Sequence, residues 1–222
     1  MTRCFLILTL LLAAFSGISW DFNGKDSRKT LVWKPAQGGR FAVTLAFRLT
    51  VPRISLTPGG LAGSAHYPLV MNAVKAKLKP GDFQKLLMCF VTKPNDRYAF
   101  VSASRGRYNI WWTNERSLFP MDKPIWVFLT AGSDDKLDGR IGKQQLSHTR
   151  SIQLLPEFYT AGEYVITLGC NPYRGGTGYM KCTITDFMIF ERVLSVGEME
   201  EIEKDPAKGK QIPGFAAFEE KE

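Results

Sequence analysis

The chain contains only two histidines, His66 and His148, and neither stands in a spacing used for catalysis or metal binding. A Ser/His/Asp or Cys/His mechanism therefore has no visible base. No G-x-S-x-G element occurs, and the cysteine–histidine spacing of a zinc site is missing. No strand-like stretch presents two carboxylates at i, i+2 or i+4, as a retaining glycosidase needs to hold them about 5 Å apart. There is no N-x-S/T glycosylation site, no internal repeat and no block of five or six like charges. No apolar run, the one over 5–15 included, is long enough to cross a bilayer. These absences point to a binding protein, not an enzyme, with a glycoside hydrolase as the remaining catalytic alternative.

What is present begins with a leader. Arg3 precedes an apolar run over 5–15, and the small residues Gly17 and Ser19 follow. This is the pattern of an export signal, so residues 1–19 are expected to be removed near Ser19–Trp20 and the mature protein to be secreted and extracellular. The formal net charge is +8, of which Arg3 contributes one. That excess suits polyanions in general, but its spread gives no reason to expect specific nucleic-acid binding. Cys4 lies in the leader, which leaves Cys89, Cys170 and Cys182 in the mature chain. An odd number in an oxidising compartment means one bridge and a leftover thiol, or a bond to another chain.

Short strand-like runs separated by Gly, Pro, Asn and Asp give the rhythm of an all-β sandwich. The clearest is 41–51, where Phe41, Val43, Leu45, Phe47, Leu49 and Val51 alternate with smaller or polar residues. Further strands are expected at 69–78, 86–91, 97–102, 108–113, 125–130, 150–155, 164–168 and 183–190. One helix is expected: Ser195-Val-Gly-Glu198 is a capping box, Leu194 and Met199 can form a hydrophobic staple, and Pro206 stops the helix by Asp205.

The run 184–194 (Ile-Thr-Asp-Phe-Met-Ile-Phe-Glu-Arg-Val-Leu), followed by Ser195 and Ile202, resembles the ending of laminin G-like and pentraxin-like members of the concanavalin A-like superfamily. Asp186, Ile189, Phe190, Arg192, Leu194, Ser195 and Ile202 fit that ending in order. The run 123–127 and the hairpin Leu137-Asp-Gly-Arg140 resemble upstream strands of the same fold. The resemblance covers about 122–204. It implies a two-sheet antiparallel jelly-roll sandwich over 20–206 with one short C-terminal helix, followed by a tail at 207–222. It also implies a lectin-like domain that binds carbohydrate, including sulfated or acidic glycans, or else a protein-interaction or matrix-adhesion module. Fold alone does not choose between these.

Three places could carry binding chemistry. Trp111 and Trp112, with Asn114, offer flat rings and an amide for a sugar, and adjacent strand positions must face opposite ways. Tyr173 and Arg174 stand in the glycine-rich segment 171–178. Asp134, Asp135 and Asp138 could contribute to a calcium site in a laminin G-like rim, although aspartates also stabilise turns without metal. Cys170 and Cys182 flank the glycine-rich segment and are expected to form a disulfide, with Cys89 left as a thiol.

Overall fold

The computed structural model describes residues 18–36, 42–52, 66–73, 86–92, 97–104, 107–112, 121–132, 137–148, 159–170, 172 and 179–221. The strands are β1 (Ser19–Asn23), β2 (Lys29–Trp33), β3 (Val43–Thr50), β4 (His66–Ala73), β5 (Leu86–Thr92), β6 (Arg97–Ser104), β7 (Arg107–Trp112) and β8 (Ile125–Ala131). They continue with β9 (Leu137–Ile141), β10 (Gln144–Gln145), β11 (Ser147–His148), β12 (Tyr164–Leu168), β13 (Lys181–Phe190), β14 (Phe215–Ala216) and β15 (Glu219–Lys221). Two short helices, α1 (Val196–Lys204) and α2 (Pro206–Gly209), follow β13.

The strands form two antiparallel sheets. A seven-stranded sheet runs β1-β13-β3-β8-β9-β10, with β14 also paired to β13. An eight-stranded sheet runs β11-β7-β6-β5-β4-β12-β2-β15. This is the jelly-roll sandwich expected from the sequence.

The alternation read in 41–51 places the core. Val43, Leu45, Phe47 and Leu49 of β3 face Leu31, Trp33, Leu69, Met71, Tyr164, Ile166 and Leu168 of the other sheet. Burying each such side chain contributes about 1.5–3 kcal/mol. The opposite face of the seven-stranded sheet is also apolar where α1 crosses it. There Ala46, Trp126, Phe128, Met188 and Phe190 pack under Met199, Ile202 and Ile212.

The cap of α1 is the one its sequence specifies. Ser195 Oγ accepts from the Glu198 amide, Glu198 Oε2 accepts from the Ser195 amide at 2.9 Å, and Leu194 and Met199 are both buried. Arg192 binds the Glu198 carboxylate through both terminal nitrogens and donates from Nε to the Pro213 carbonyl at 2.7 Å. Thr44, fully buried on β3, donates to the Arg192 carbonyl at 2.8 Å and accepts from the Leu194 amide at 3.1 Å. Asp186 interrupts β13 with a left-handed conformation (φ 53°) at a bulge between Thr185 and Met188, and its carboxylate is held by Arg48. The residues that carry the family resemblance thus lock the last strand to the helix.

Three expectations need correction. Residues 207–222 are not a free tail: β14 pairs with β13 in one sheet and β15 pairs with β2 in the other. Between them Phe218 packs edge-on against Phe187 at 5.4 Å, so the segment ties both sheets together. A second helical turn, α2, joins the single helix expected. Cys170 and Cys182 are both buried thiols, with no disulfide between them. The reason is topological: Cys182 pairs with Phe22 in the seven-stranded sheet, whereas Cys170 follows β12 in the other and bridges Tyr179. The strand expected at 150–155 lies outside the described residues, as do 1–17 of the leader.

Candidate functional site

Trp111 and Trp112 are the last two residues of β7. The pairing register runs unbroken from there across the eight-stranded sheet: His148, Trp111, Phe100, Cys89, Leu69 and Leu168 occupy one cross-strand row. Leu168 ends β12, and the glycine-rich segment begins three residues later. Trp111 and the base of that segment therefore leave the same end of one sheet, four strand spacings or about 19 Å apart. Trp112 occupies the next row, paired with Ala99 and Ser147.

The base of the segment is firmly built. Cys170 bridges Tyr179, the Met180 amide donates to the Gly169 carbonyl at 2.8 Å, and the Gly169 amide donates to the Pro68 carbonyl at 2.9 Å. Gly169 has a φ of 78°, and a Cβ there would lie 2.2 Å from the Phe22 ring. Only glycine lets β12 come this close to β1 of the other sheet. Burial pushes the Cys170 thiol up, and the Arg28 guanidinium that bonds it works in the opposite direction. This Arg28–Cys170 contact had no signal in the sequence.

Two connections show that the sheets share their ends. Asn23 of β1 leads by a short turn to Lys29 of β2, and Lys29 pairs with Leu168. At the opposite end the Ala36 amide donates to Glu191 just after β13. In this frame Ile125 opens β8 at the Trp111 end, and Ala131 closes it at the far end. Asp138, on β9 opposite Thr130, thus lies toward the end away from Trp111. It is the candidate aspartate that falls among the described residues. Its Oδ1 accepts from the Gly139 amide at 2.7 Å and from the Gln145 side chain, which is the turn-stabilising role. Asn114, Asp134, Asp135, Tyr173 and Arg174 lie outside the described residues. No cluster of three metal-ligating side chains occurs among the described residues.

The seven-stranded sheet offers little open chemistry near its helix. Arg140 is buried beneath α1, donates from Nε to the Gly142 carbonyl at 2.7 Å and lies 3.3 Å from Glu203. Burial raises the Glu203 carboxyl above its usual range, with Arg140 acting against it. Asp186, Glu198 and Glu203 are each held by an arginine. On the eight-stranded sheet, Asn72 and Thr167 alternate with core-facing neighbours on β4 and β12, so they sit on the face away from the inter-sheet core. Both are buried, and Asn72 Oδ1 has no hydrogen-bond partner among the described residues.

No family model matches the sequence, and no curated protein matches it either. Solved structures do. A heptameric serum-amyloid-P-like pentraxin from Limulus polyphemus aligns with TM-score 0.53 at 9% identity, covering 84% of this chain and 81% of that one. A carbohydrate-binding module of family 40 from a Ruminococcus gnavus sialidase, bound to α2,3-sialyllactose, aligns with TM-score 0.50 at 10% identity over 83% of this chain and 97% of the module. The receptor-binding domain of botulinum neurotoxin D aligns with TM-score 0.50 at 11% identity over 86% of this chain, which spans about half of that domain (48%). The chain shares the two-sheet jelly-roll fold of these structures.

Proposed function

We propose that this chain is a secreted, non-catalytic carbohydrate-binding module whose ligand lies at the Trp111 end of the eight-stranded sheet. The observation that supports the reading is the register row joining Trp111 to Leu168, the last residue of the strand that precedes the glycine-rich segment; in sequence Asn114 follows Trp112 by two residues, and Tyr173 and Arg174 stand in that segment. Stacking rings, an amide and a guanidinium are the side chains that bind pyranose faces and hydroxyls. A sialidase module of similar size, solved with sialyllactose, supports the view that one such sandwich suffices for sugar binding. The protein-interaction alternative is favoured by one feature, the exposed Val193 and Val196 on either side of the α1 cap.

The test is binding of the mature protein to neutral, sialylated and sulfated glycans, in calcium and then in EDTA. A defined sugar is expected to bind and to stay bound in EDTA, because Asp138 is engaged by the Gly139 amide and the Gln145 side chain. A folded protein that binds none of the glycans refutes the reading and favours a protein partner.

A further inference from the structure

Among the described side chains, Arg28 differs from the other arginines in its partner. Arg48 is held by Asp186, Arg140 by Glu203 and Arg192 by Glu198, each through a carboxylate. Arg28 instead donates to the thiol of Cys170. Burial pushes that thiol up, so it stays neutral and orients the guanidinium without cancelling its charge. No ion pair among the described residues involves Arg28. Its place is set by the sheet. Arg28 directly precedes β2, whose first residue, Lys29, pairs with Leu168. Cys170 bridges Tyr179, so the exposed Arg28 stands at the neck of the glycine-rich segment, on the β2 side of the proposed sugar site. The turn before it carries exposed Lys25, and a Cβ on Gly24 would lie 2.9 Å from the backbone nitrogen of exposed Lys181, which puts this turn against the start of β13. Over the turn and Lys181, the cations Lys25, Arg28 and Lys181 stand against one acid, Asp26, an excess of two; Lys29 is neutralised by Glu220 at 2.5 Å.

We infer that this neck is an anionic subsite of the proposed sugar site, in which Arg28 reads the carboxylate or sulfate of an acidic sugar; the inference rests on the carbohydrate-binding reading. A guanidinium presents a planar fork of N–H donors that meets such a group through two parallel, charge-assisted bonds. The ammonium groups of Lys25 and Lys181 are compact point charges, which raise the local potential but select no shape. The bond to Cys170 fixes the fork before a ligand arrives, so less side-chain freedom is lost on binding. A neutral sugar of the same core leaves the fork to water. Arg28 is thus the residue that separates acidic from neutral ligands at this site.

The experiment titrates the full mature protein with matched glycans, each neutral core beside its sialylated and sulfated forms, lactose and sialyllactose among them. It compares wild type with R28Q, R28K and K25Q, the last as a control that loses the same charge from the same turn. Wild type should bind an acidic form at least about tenfold more tightly than its neutral core. Whether the sialylated or the sulfated form binds more tightly tells carboxylate from sulfate. R28Q should bind the acidic forms no better than the neutral core, with an unchanged melting temperature. R28K should keep part of the preference, because the charge remains and the fork does not; if R28Q melts early, R28K carries the comparison. K25Q should keep the preference to within about twofold. Equal binding of neutral and acidic forms by wild type, or equal weakening by R28Q and K25Q, would overturn the inference and leave the sugar site standing. Binding to no glycan at all would refute the sugar site itself, and the inference with it.

Discussion

Thr44→Val is the sharpest test of how the last strand, cap and helix are held. Valine keeps the shape of threonine but removes the one hydroxyl that both donates to the Arg192 carbonyl (2.8 Å) and accepts from the Leu194 amide (3.1 Å). Thr44 is fully buried, so water cannot replace it. Each buried backbone group left unpaired costs about 1–3 kcal/mol, and the added methyl recovers part of that. The net loss should be about 2–4 kcal/mol. For a chain of this size each kcal/mol lowers Tm by about 2–4 °C, so the drop should fall between about 4 and 16 °C. Urea unfolding followed by tryptophan fluorescence gives the free energy directly. Thr183→Val is the control, because its hydroxyl bonds the exposed Asp21 carboxylate and its loss should cost about 0.5 kcal/mol or less. Wild-type stability for Thr44→Val would show that this hydroxyl does not hold the strand–helix junction.

Other outcomes follow from the same geometry. Asn72→Leu should be no less stable than wild type, because the Asn72 carbonyl oxygen is buried without a partner among the described residues; a loss above about 1 kcal/mol would refute this. The side-chain bond from Arg192 holds the Glu198 carboxyl at about 2, below its ordinary 4.5, so its contribution is present above pH 4.5 and is lost as pH falls toward 2. The stability gap between wild type and Glu198→Gln should therefore close over that window, and a gap independent of pH would contradict the pairing. Phe218→Ala should cost about 1–3 kcal/mol in urea unfolding, since Phe218 ties the C-terminal segment to Phe187; no change would make the segment a true tail. Peptide mapping of the oxidised protein should find no Cys170–Cys182 linkage, and finding one would overturn the strand placement.

The strands with strong alternation or continuous apolar runs (β3, β5, β8 and β13) were legible because their burial is written in the residue pattern. The α1 cap was legible too, since Ser195 and Glu198 act within one turn. The strands β1 and β2 escaped because each is five residues long and mixes Asp21 or Lys29 with its core residues. Phe22 and Trp33 become core positions only through partners more than a hundred residues away. The disulfide expectation failed for the same reason: Cys170 and Cys182 are near in sequence, but the chain changes sheets between them. As for the candidate site, the residue types were legible, whereas their grouping was not. Pairing alone brings Trp111 into one row with Leu168, at the base of the glycine-rich segment.

The most direct test of the central claim is to map a bound sugar onto the backbone. Amide chemical shifts of the mature protein would be followed by NMR while a sugar that binds on the array is added. Sugar binding at the proposed site predicts changes concentrated at 28–29, 111–112, 168–170 and 179–181, with α1 and the β8–β9 connection unmoved. Changes confined to the far end of the sandwich, or to the surface around Val193 and Val196, would contradict it.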